Sequence, residues 1–196
     1  MEKRNQAKVE KSLHSCIKEV NRLDSIIVHF LKAIRPTIPN FKEINLLSII
    51  DEILHLKEKE LSSKKIKIKL DTEDKDPIID GDVEQIKQVF FNVIGNAFDA
   101  VPDKSEIRII ISWENDFITI QIIDHGVGIK KENVSRVFEP YFTTKEKGNG
   151  IGMMIVHRIM KNHNGEVGID SKFGSGTIVT LKFPRKGFNN RYLEEK

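Results

Sequence analysis

The chain has 196 residues, 39% of them hydrophobic and 31% charged, with a net charge of +3, which bounds it to one good globular domain plus an appendage with a charged helical part. No apolar run approaches the ~20 residues needed to span a bilayer, and no secretory apolar stretch follows Met1. A single cysteine, Cys16, excludes an internal disulfide framework and fits a reducing cytosol.

The first segment reads as a helix. Val9, Leu13, Cys16, Val20, Leu23, Ile27, Phe30 and Ile34 are spaced alternately by four and three, the heptad rhythm that lines a supercoiled seam. Ile17, Ile26 and Leu31 widen the stripe towards a bundle, and the alternative is a helix packed on its own globular domain. Two prolines in Arg35-Pro36-Thr37-Ile38-Pro39 end it and start a linker. The expected organisation is therefore 1–36 as a dimerisation helix, 37–187 as a domain, and 188–196 as a tail.

A second helix is expected over 44–61, with Leu46, Leu47, Ile50, Ile53 and Leu54 on one face. The lysines from Lys57 to Lys69 alternate with Glu58, Glu60 and apolar residues, without interleaved aromatics, so they make a solvated face and no nucleic-acid platform. Residues 66–70 alternate with period two, a half-buried strand. Asp80-Gly81-Asp82 reads as a turn offering a cap to a helix over 83–101. Strands follow at 107–113 and 117–123, joined by Glu114-Asn115-Asp116. A glycine-opened helix covers 151–162, and strands cover 166–170 and 177–183 around Gly174-Ser175-Gly176. Consecutive strands are expected to be antiparallel. The fold class is α+β, one sheet against one helical layer.

Chemistry concentrates in glycine-bearing segments. On the 83–101 helix, Gln88, Asn92, Asn96 and Asp99 form one polar stripe on an otherwise apolar rod. Such asparagines are costly unless they meet partners, either neighbouring backbone or a ligand. Asp124 ends a strand ahead of Gly126 and Gly128 and is either an Asx-turn residue or an acceptor for an exocyclic amine. Gly148, Gly150 and Gly152 precede a helix, where freed backbone N–H groups and the dipole favour anions. A flexible loop is the plainer alternative there, and a plain strand residue is the alternative for Thr177.

Asn92-Val93-Ile94-Gly95-Asn96-Ala97, Asp124-His125-Gly126-Val127-Gly128-Ile129, Phe138-Glu139-Pro140-Tyr141-Phe142-Thr143-Thr144-Lys145, Gly148-Asn149-Gly150-Ile151-Gly152-Met153 and Gly174-Ser175-Gly176-Thr177 stand in a fixed order. Together they resemble the boxes of a sensor histidine kinase, a member of the GHKL group of ATP-binding proteins. The resemblance runs from about Val9 to Pro184 and implies the Bergerat fold, a two-layer α/β sandwich. It implies ATP and Mg²⁺ as cofactors, with Asn96 on the metal, Asn92 and Asp99 near the phosphates, and Asp124 on the adenine amino group. Gly126, Gly128 and Ile129 would lie beside the ring, with Thr177 close by. A short lid over 138–147 would be anchored by Phe138 and Phe142 and would carry Thr143, Thr144 and the phosphate-reaching Lys145. Gly148, Asn149, Gly150, Ile151, Gly152 and Met153 would hold phosphates. Two spellings depart mildly from the family: His125 replaces an asparagine, and Met153 a leucine.

Two absences shape the expected activity. Hydrolytic members of the group carry a glutamate one turn before the metal asparagine, where this chain has Asn92, so phosphoryl transfer is favoured over hydrolysis. None of the six histidines stands in the acceptor context of the family, and 19–31 looks like the second helix of the dimerisation hairpin. His14 and His29 are read as surface or seam residues, and His157 and His163 as structural. The expected function is the catalytic, ATP-binding part of a sensor histidine kinase, cytosolic or the cytosolic part of a membrane-bound sensor. Its expected partners are a histidine-bearing helix, a response-regulator receiver domain and a second copy in a homodimer. The alternatives are a non-catalytic ATP-binding or dimerising regulator of a kinase, or an anti-sigma-type serine kinase, which the coiled-coil helix disfavours.

Overall fold

The computed structural model of the chain describes Ile17 and residues 39–73, 76–145 and 148–186. The chain divides into two compact units, Met1–Thr37 and Ile38–Lys196. The heptad stripe expected over 1–36, the tail expected over 188–196, and the histidines His14 and His29 lie outside the described residues.

In chain order the second unit runs β1 (Lys42–Asn45), α1 (Leu46–Leu56), α2 (Glu58–Lys64), β2 (Lys67–Thr72), β3 (Ile78–Gly81), α3 (Val83–Ala100), β4 (Glu106–Glu114), β5 (Phe117–Asp124), α4 (Lys131–Val134), α5 (Gly152–Asn162), β6 (Glu166–Lys172) and β7 (Gly176–Pro184). The long helix expected over 44–61 is instead a strand and two helices. Ile44 turns inward on β1 opposite Ile79 of β3. The Asn45 side chain then accepts from the Ser48 N–H at 3.2 Å and starts α1, satisfying one of the free donors of its first turn. Leu46, Ile49, Ile50 and Ile53 are its buried face. Lys57, at φ −92° and ψ 0°, closes α1, and α2 beyond it buries no residue. The turn expected at Asp80-Gly81-Asp82 is the end of β3, and Asp82 is the cap of α3, accepting from the Gln85 N–H at 3.0 Å.

The main sheet has the order β2-β4-β5-β7-β6. Its hairpins β4–β5 and β6–β7 are antiparallel as expected. The pair β2–β4 is parallel, with Lys67 opposite Glu106 and Thr72 opposite Ile111. The reason is the crossover: α3 lies between these strands in the chain, and a helical crossover returns the next strand in the same direction. On α3, Ile86, Val89, Phe90, Val93, Ile94 and Ala97 are buried. They meet a sheet face whose Ile107, Ile109, Ile111, Ile118, Ile120, Leu181 and Phe183 are wholly buried. Each such side chain contributes about 1.5–3 kcal/mol relative to leaving it exposed. The result is the two-layer α+β sandwich that the sequence predicts.

One buried polar group fastens the helical layer. His163, 1% exposed, follows α5. Its Nδ1 lies 2.8 Å from the Ile159 carbonyl and so carries the proton, leaving Nε2 to accept from the Asp82 N–H at 3.0 Å. Asp82 in turn accepts from the Asn40 N–H at 2.9 Å, and the Phe41 ring lies 5.0 Å from the imidazole. The end of α5, the cap of α3 and the segment just before β1 thus share one neutral histidine.

Burial pushes His163 below the usual imidazole range, against the Ile159 carbonyl and the Asp82 charge. The unfolded chain takes up this proton near ~6.5 while the folded chain resists it, so the stability it contributes is complete above that pH and lost as pH falls. Urea unfolding from about pH 7.5 to about 5.5 should show stability declining in the wild type and a flatter profile in His163→Gln. The same substitution should cost about 1–3 kcal/mol at neutral pH by disturbing a buried donor.

Candidate functional site

A cavity of about 550 Å³ opens between α3, the loop after β5, the glycine segment before α5 and the inner face of β6 and β7, within the size range of small-molecule sites. One end is anionic and buried. Asp124, 4% exposed, is the last residue of β5 and pairs with Thr177 of β7. Its Oδ1 accepts from the Gly126 N–H at 2.8 Å, so the Asx-turn alternative is correct as far as it goes. Burial pushes its carboxyl above the usual range, against N–H groups of Gly126 and Thr177 and the charges of His125 and Lys145. The carboxylate also lines the cavity. Val93, Ala97, Val127, Ile129, Ile169 and Val179 line the same cavity with apolar surface.

A hydroxyl pair holds the loop after Asp124 against the sheet. The Ser171 Oγ donates to the Gly176 carbonyl and accepts from the Ile129 N–H, each at 2.9 Å. With that one proton used, it accepts from the hydroxyl of Thr177, which lines the cavity, also at 2.9 Å. Gly128, at φ +65°, is close enough to the Lys172 carbonyl that a Cβ would stand 2.1 Å from it, so only glycine lets this loop lie flat on β6.

The other end is polar and open. Asn96 and Asp99, one turn apart on α3, direct Oδ1 and Oδ2 at the Lys145 ammonium, 2.9 and 2.8 Å away. Thr143, Thr144, Gly148, Asn149, Gly150, Gly152 and Met153 complete this wall. Asn92 also lines the cavity, but its Nδ2 donates to the Gly152 carbonyl at 3.3 Å, tying α3 to the start of α5. The backbone alternative for that asparagine therefore holds. Gly150, at φ +65°, packs so closely that a Cβ would meet the Tyr141 carbonyl carbon at 2.4 Å.

Three residues expected at the site stand behind its wall. A Cβ on Gly126 would lie 2.3 Å from the Ala100 carbonyl oxygen, so this glycine serves contact with α3. Ile151, 1% exposed, packs into the core beneath the glycine segment. Phe138, expected to anchor the lid to the core, is half-buried with its ring 5.3 Å from that of the exposed His157 on α5. Phe142 lines the cavity beneath the Arg136 guanidinium, 4.5 Å from the ring centre. Sequence reasoning missed Ser171 and the apolar wall of Ile169 and Val179. The period-two pattern of 166–170 and 177–183 carried that wall, whereas the serine gave no signal short of strand register.

The donor sets suit a nucleotide and its metal. Asn96 and Asp99 offer oxygen only, the donor that Mg²⁺ prefers, and they already hold a cation in the form of the lysine ammonium. A buried carboxylate in an apolar slot matches a flat ring bearing an amine. Among the described residues no group of three or more His, Cys, Asp or Glu is placed to hold a metal by itself. No described helix is long and apolar enough to cross a membrane.

Known proteins are similar to this chain in sequence and in fold. Sporulation kinase A of Bacillus subtilis is 36% identical over 169 residues, covering 86% of this chain and 28% of that protein. Sensor histidine kinase ZraS of Escherichia coli is 30% identical over 167 residues, covering 85% of this chain and 36% of its own length. The chain thus spans roughly a quarter to a third of these curated relatives. The solved catalytic domain of histidine kinase ThkA, nucleotide-free, superposes with a TM-score of 0.69 at 27% identity, covering 75% of this chain and 97% of that one. The family model for histidine kinase-, DNA gyrase B- and HSP90-like ATPases matches residues 81–187, more than half of the chain, and the chain belongs to that family.

Proposed function

We propose that this chain is the ATP-binding catalytic part of a sensor histidine kinase, which moves the γ-phosphoryl of Mg-ATP to a histidine for relay to a response-regulator aspartate. The observation that carries the reading is one cavity with a buried carboxylate, Asp124, at one end and a cation held by Asn96 and Asp99 at the other. In this reading Asp124 accepts from the adenine amine, Gly128 and Ile129 flank the ring, and Thr177 offers its hydroxyl oxygen. Asn96 supplies an oxygen to Mg²⁺, whose chemistry when bound is to neutralise charge on the phosphates. Lys145 and the backbone from Gly148 to Gly152 face the phosphates, and Thr143 and Thr144 belong to the same lid. Asn92 positions the helix start through Gly152. The protein's contribution is placement and charge neutralisation rather than covalent chemistry.

The acceptor histidine is placed on a separate segment: among the described residues the His157 ring lies tilted against Phe138, His163 is buried between α3 and α5, and His55 faces Glu58. Residues 1–36 are proposed to belong to a dimerisation bundle in a homodimer, 37–187 to form the catalytic domain, and 188–196 to be a tail. A cytoplasmic setting follows from this role. The names of the sporulation and sensor kinases support the kinase role itself. A regulator that binds ATP without transferring phosphate is the second reading, favoured by the engagement of Asn92 with the Gly152 carbonyl, which takes its amide away from the phosphates.

Calorimetry should show Mg-ATP binding that loses its metal dependence in Asn96→Ala while circular dichroism stays unchanged. Asp124→Asn should weaken ATP by about 1.5–3 kcal/mol, the worth of a charge-assisted hydrogen bond. An equal loss for GTP would rule out adenine reading by Asp124.

Incubated alone with labelled ATP, the chain should not label its own histidines. Mixed with a separate hairpin bearing an acceptor histidine, it should produce acid-labile, base-stable phosphate on the hairpin. A bound nucleotide with an unlabelled hairpin would favour the regulator.

A further inference from the structure

The polar end of the cavity holds a cation of the protein's own. Asn96 and Asp99 sit three residues apart on α3 and therefore share a face. Their oxygens converge on one nitrogen, the Lys145 ammonium, at 2.9 and 2.8 Å. That lysine does not come from α3 or its neighbours. It comes from the lid, after the Thr143 hydroxyl has turned the chain by accepting from the Lys145 N–H at 3.1 Å. We propose that the Asn96–Asp99 oxygen pair is a cation-exchange site, for which the lid lysine and a divalent metal compete. Resting on the nucleotide reading for what delivers the metal, this assigns Asp99 to the metal as well as to the lid.

The exchange follows from charge. An ammonium and a divalent ion cannot both stand against the same two oxygens, because their mutual repulsion adds to the lost contacts. Arrival of the metal expels Lys145, and the expelled ammonium is left beside the phosphates that came with the metal, its natural next partner. Departure of the metal lets Lys145 return and draw the lid onto α3. The Lys145 and Asp99 side chains are 42% and 56% exposed, so the latch is weak and salt-screened. A weak latch suits a lid that has to reopen at each cycle. Asn96 alone would attract a metal without repelling it from the lysine's place. The Asp99 carboxylate makes the choice between two cations a competition.

The test uses the full chain without nucleotide. Hydrogen exchange of lid amides 138–145 should rise about two- to fivefold in Asp99→Asn and in Lys145→Gln, the range of an exposed ion pair. The double variant should rise no further than the larger single one, and Lys130→Gln, beside Phe173, should change nothing. Titration with Mn²⁺ alone, followed by the paramagnetic resonance of the free ion, should show about two- to fivefold tighter binding in Lys145→Gln than in the wild type. Adding Asp99→Asn to that variant should cancel the gain. Unchanged lid exchange in Asp99→Asn, additive effects of the two substitutions, or Mn²⁺ binding indifferent to Lys145→Gln would each overturn the proposal. If both arms behave as expected but calorimetry finds no ATP binding, the nucleotide reading fails and the exchange site stands. If ATP binds but neither arm behaves as expected, the exchange site fails and the nucleotide reading stands.

Discussion

Helix α3 has to satisfy two surfaces at once, and the rest of the molecule is arranged around that demand. Its apolar stripe is buried on the sheet, while Asn92, Asn96 and Asp99 emerge along the cavity. A rotation of the rod by even part of a turn would bury the asparagines without partners and expose isoleucines, so the hydrophobic contact itself aims the polar groups. The helix is also held at several points along its length. Asp82 and His163 fix its beginning, Asn92 ties its middle to Gly152, and the Ala100 carbonyl receives the Val127 N–H at 3.1 Å. The loop that carries Asp124 onward is thereby set against the same helix that carries Asn96.

The two ends of the cavity work under different electrostatics. Asp124 is almost without solvent, so each backbone donor aimed at it counts for more than it would in water, and its carboxyl rises despite them. A neutral amine is the partner that such a group can accept without importing another charge into a dry place. Asn96, Asp99 and Lys145 are solvated, so charges there can be exchanged at little cost. A ligand with an uncharged ring at one end and a charged chain at the other fits this gradient. A ligand charged at both ends would meet a heavy desolvation cost beside the apolar wall of Ile169 and Val179.

The elements with long-range periodicity were legible in the sequence. The alternation of 107–113 and 117–123 marks a hairpin, and the stripe of α3 marks both its core face and its polar face, because each pattern repeats over several turns or pleats. What was not legible depended on single side chains or on pairing at a distance. Ile44 reads equally as the first apolar residue of a helix or the last of a strand, and only its pairing with Ile79 decides for the strand. The parallel pairing of β2 with β4 is a property of the path that α3 takes, to which the composition of 66–70 is indifferent. Among the site residues, the glycines declared themselves by clustering. The difference between Gly128, beside the cavity, and Gly126, packed on Ala100, is one of backbone contact that no spacing encodes. Ser171 escaped notice because a serine in a strand is ordinary until the register brings Thr177 and Ile129 to its hydroxyl.

The segment from Phe138 to Lys145 is held by different forces at its two ends. Its base is anchored by Phe138 on His157 and by the tight approach of Gly150 to Tyr141, contacts that involve packing and do not depend on salt. Its far part is held by charge, through Lys145 on α3. Packing and charge have opposite sensitivities: on the proposed reading, a ligand that brings anions and a cation would rearrange the Lys145 end while leaving the Phe138 end in place. Had the tip been held by an apolar plug instead, phosphates would have no means of releasing it. Had the hinge been held by ion pairs, the same phosphates would loosen the segment as a whole. On the proposed nucleotide reading, this difference between Phe138 and Lys145 would let a charged ligand move one end of the segment against a fixed other end.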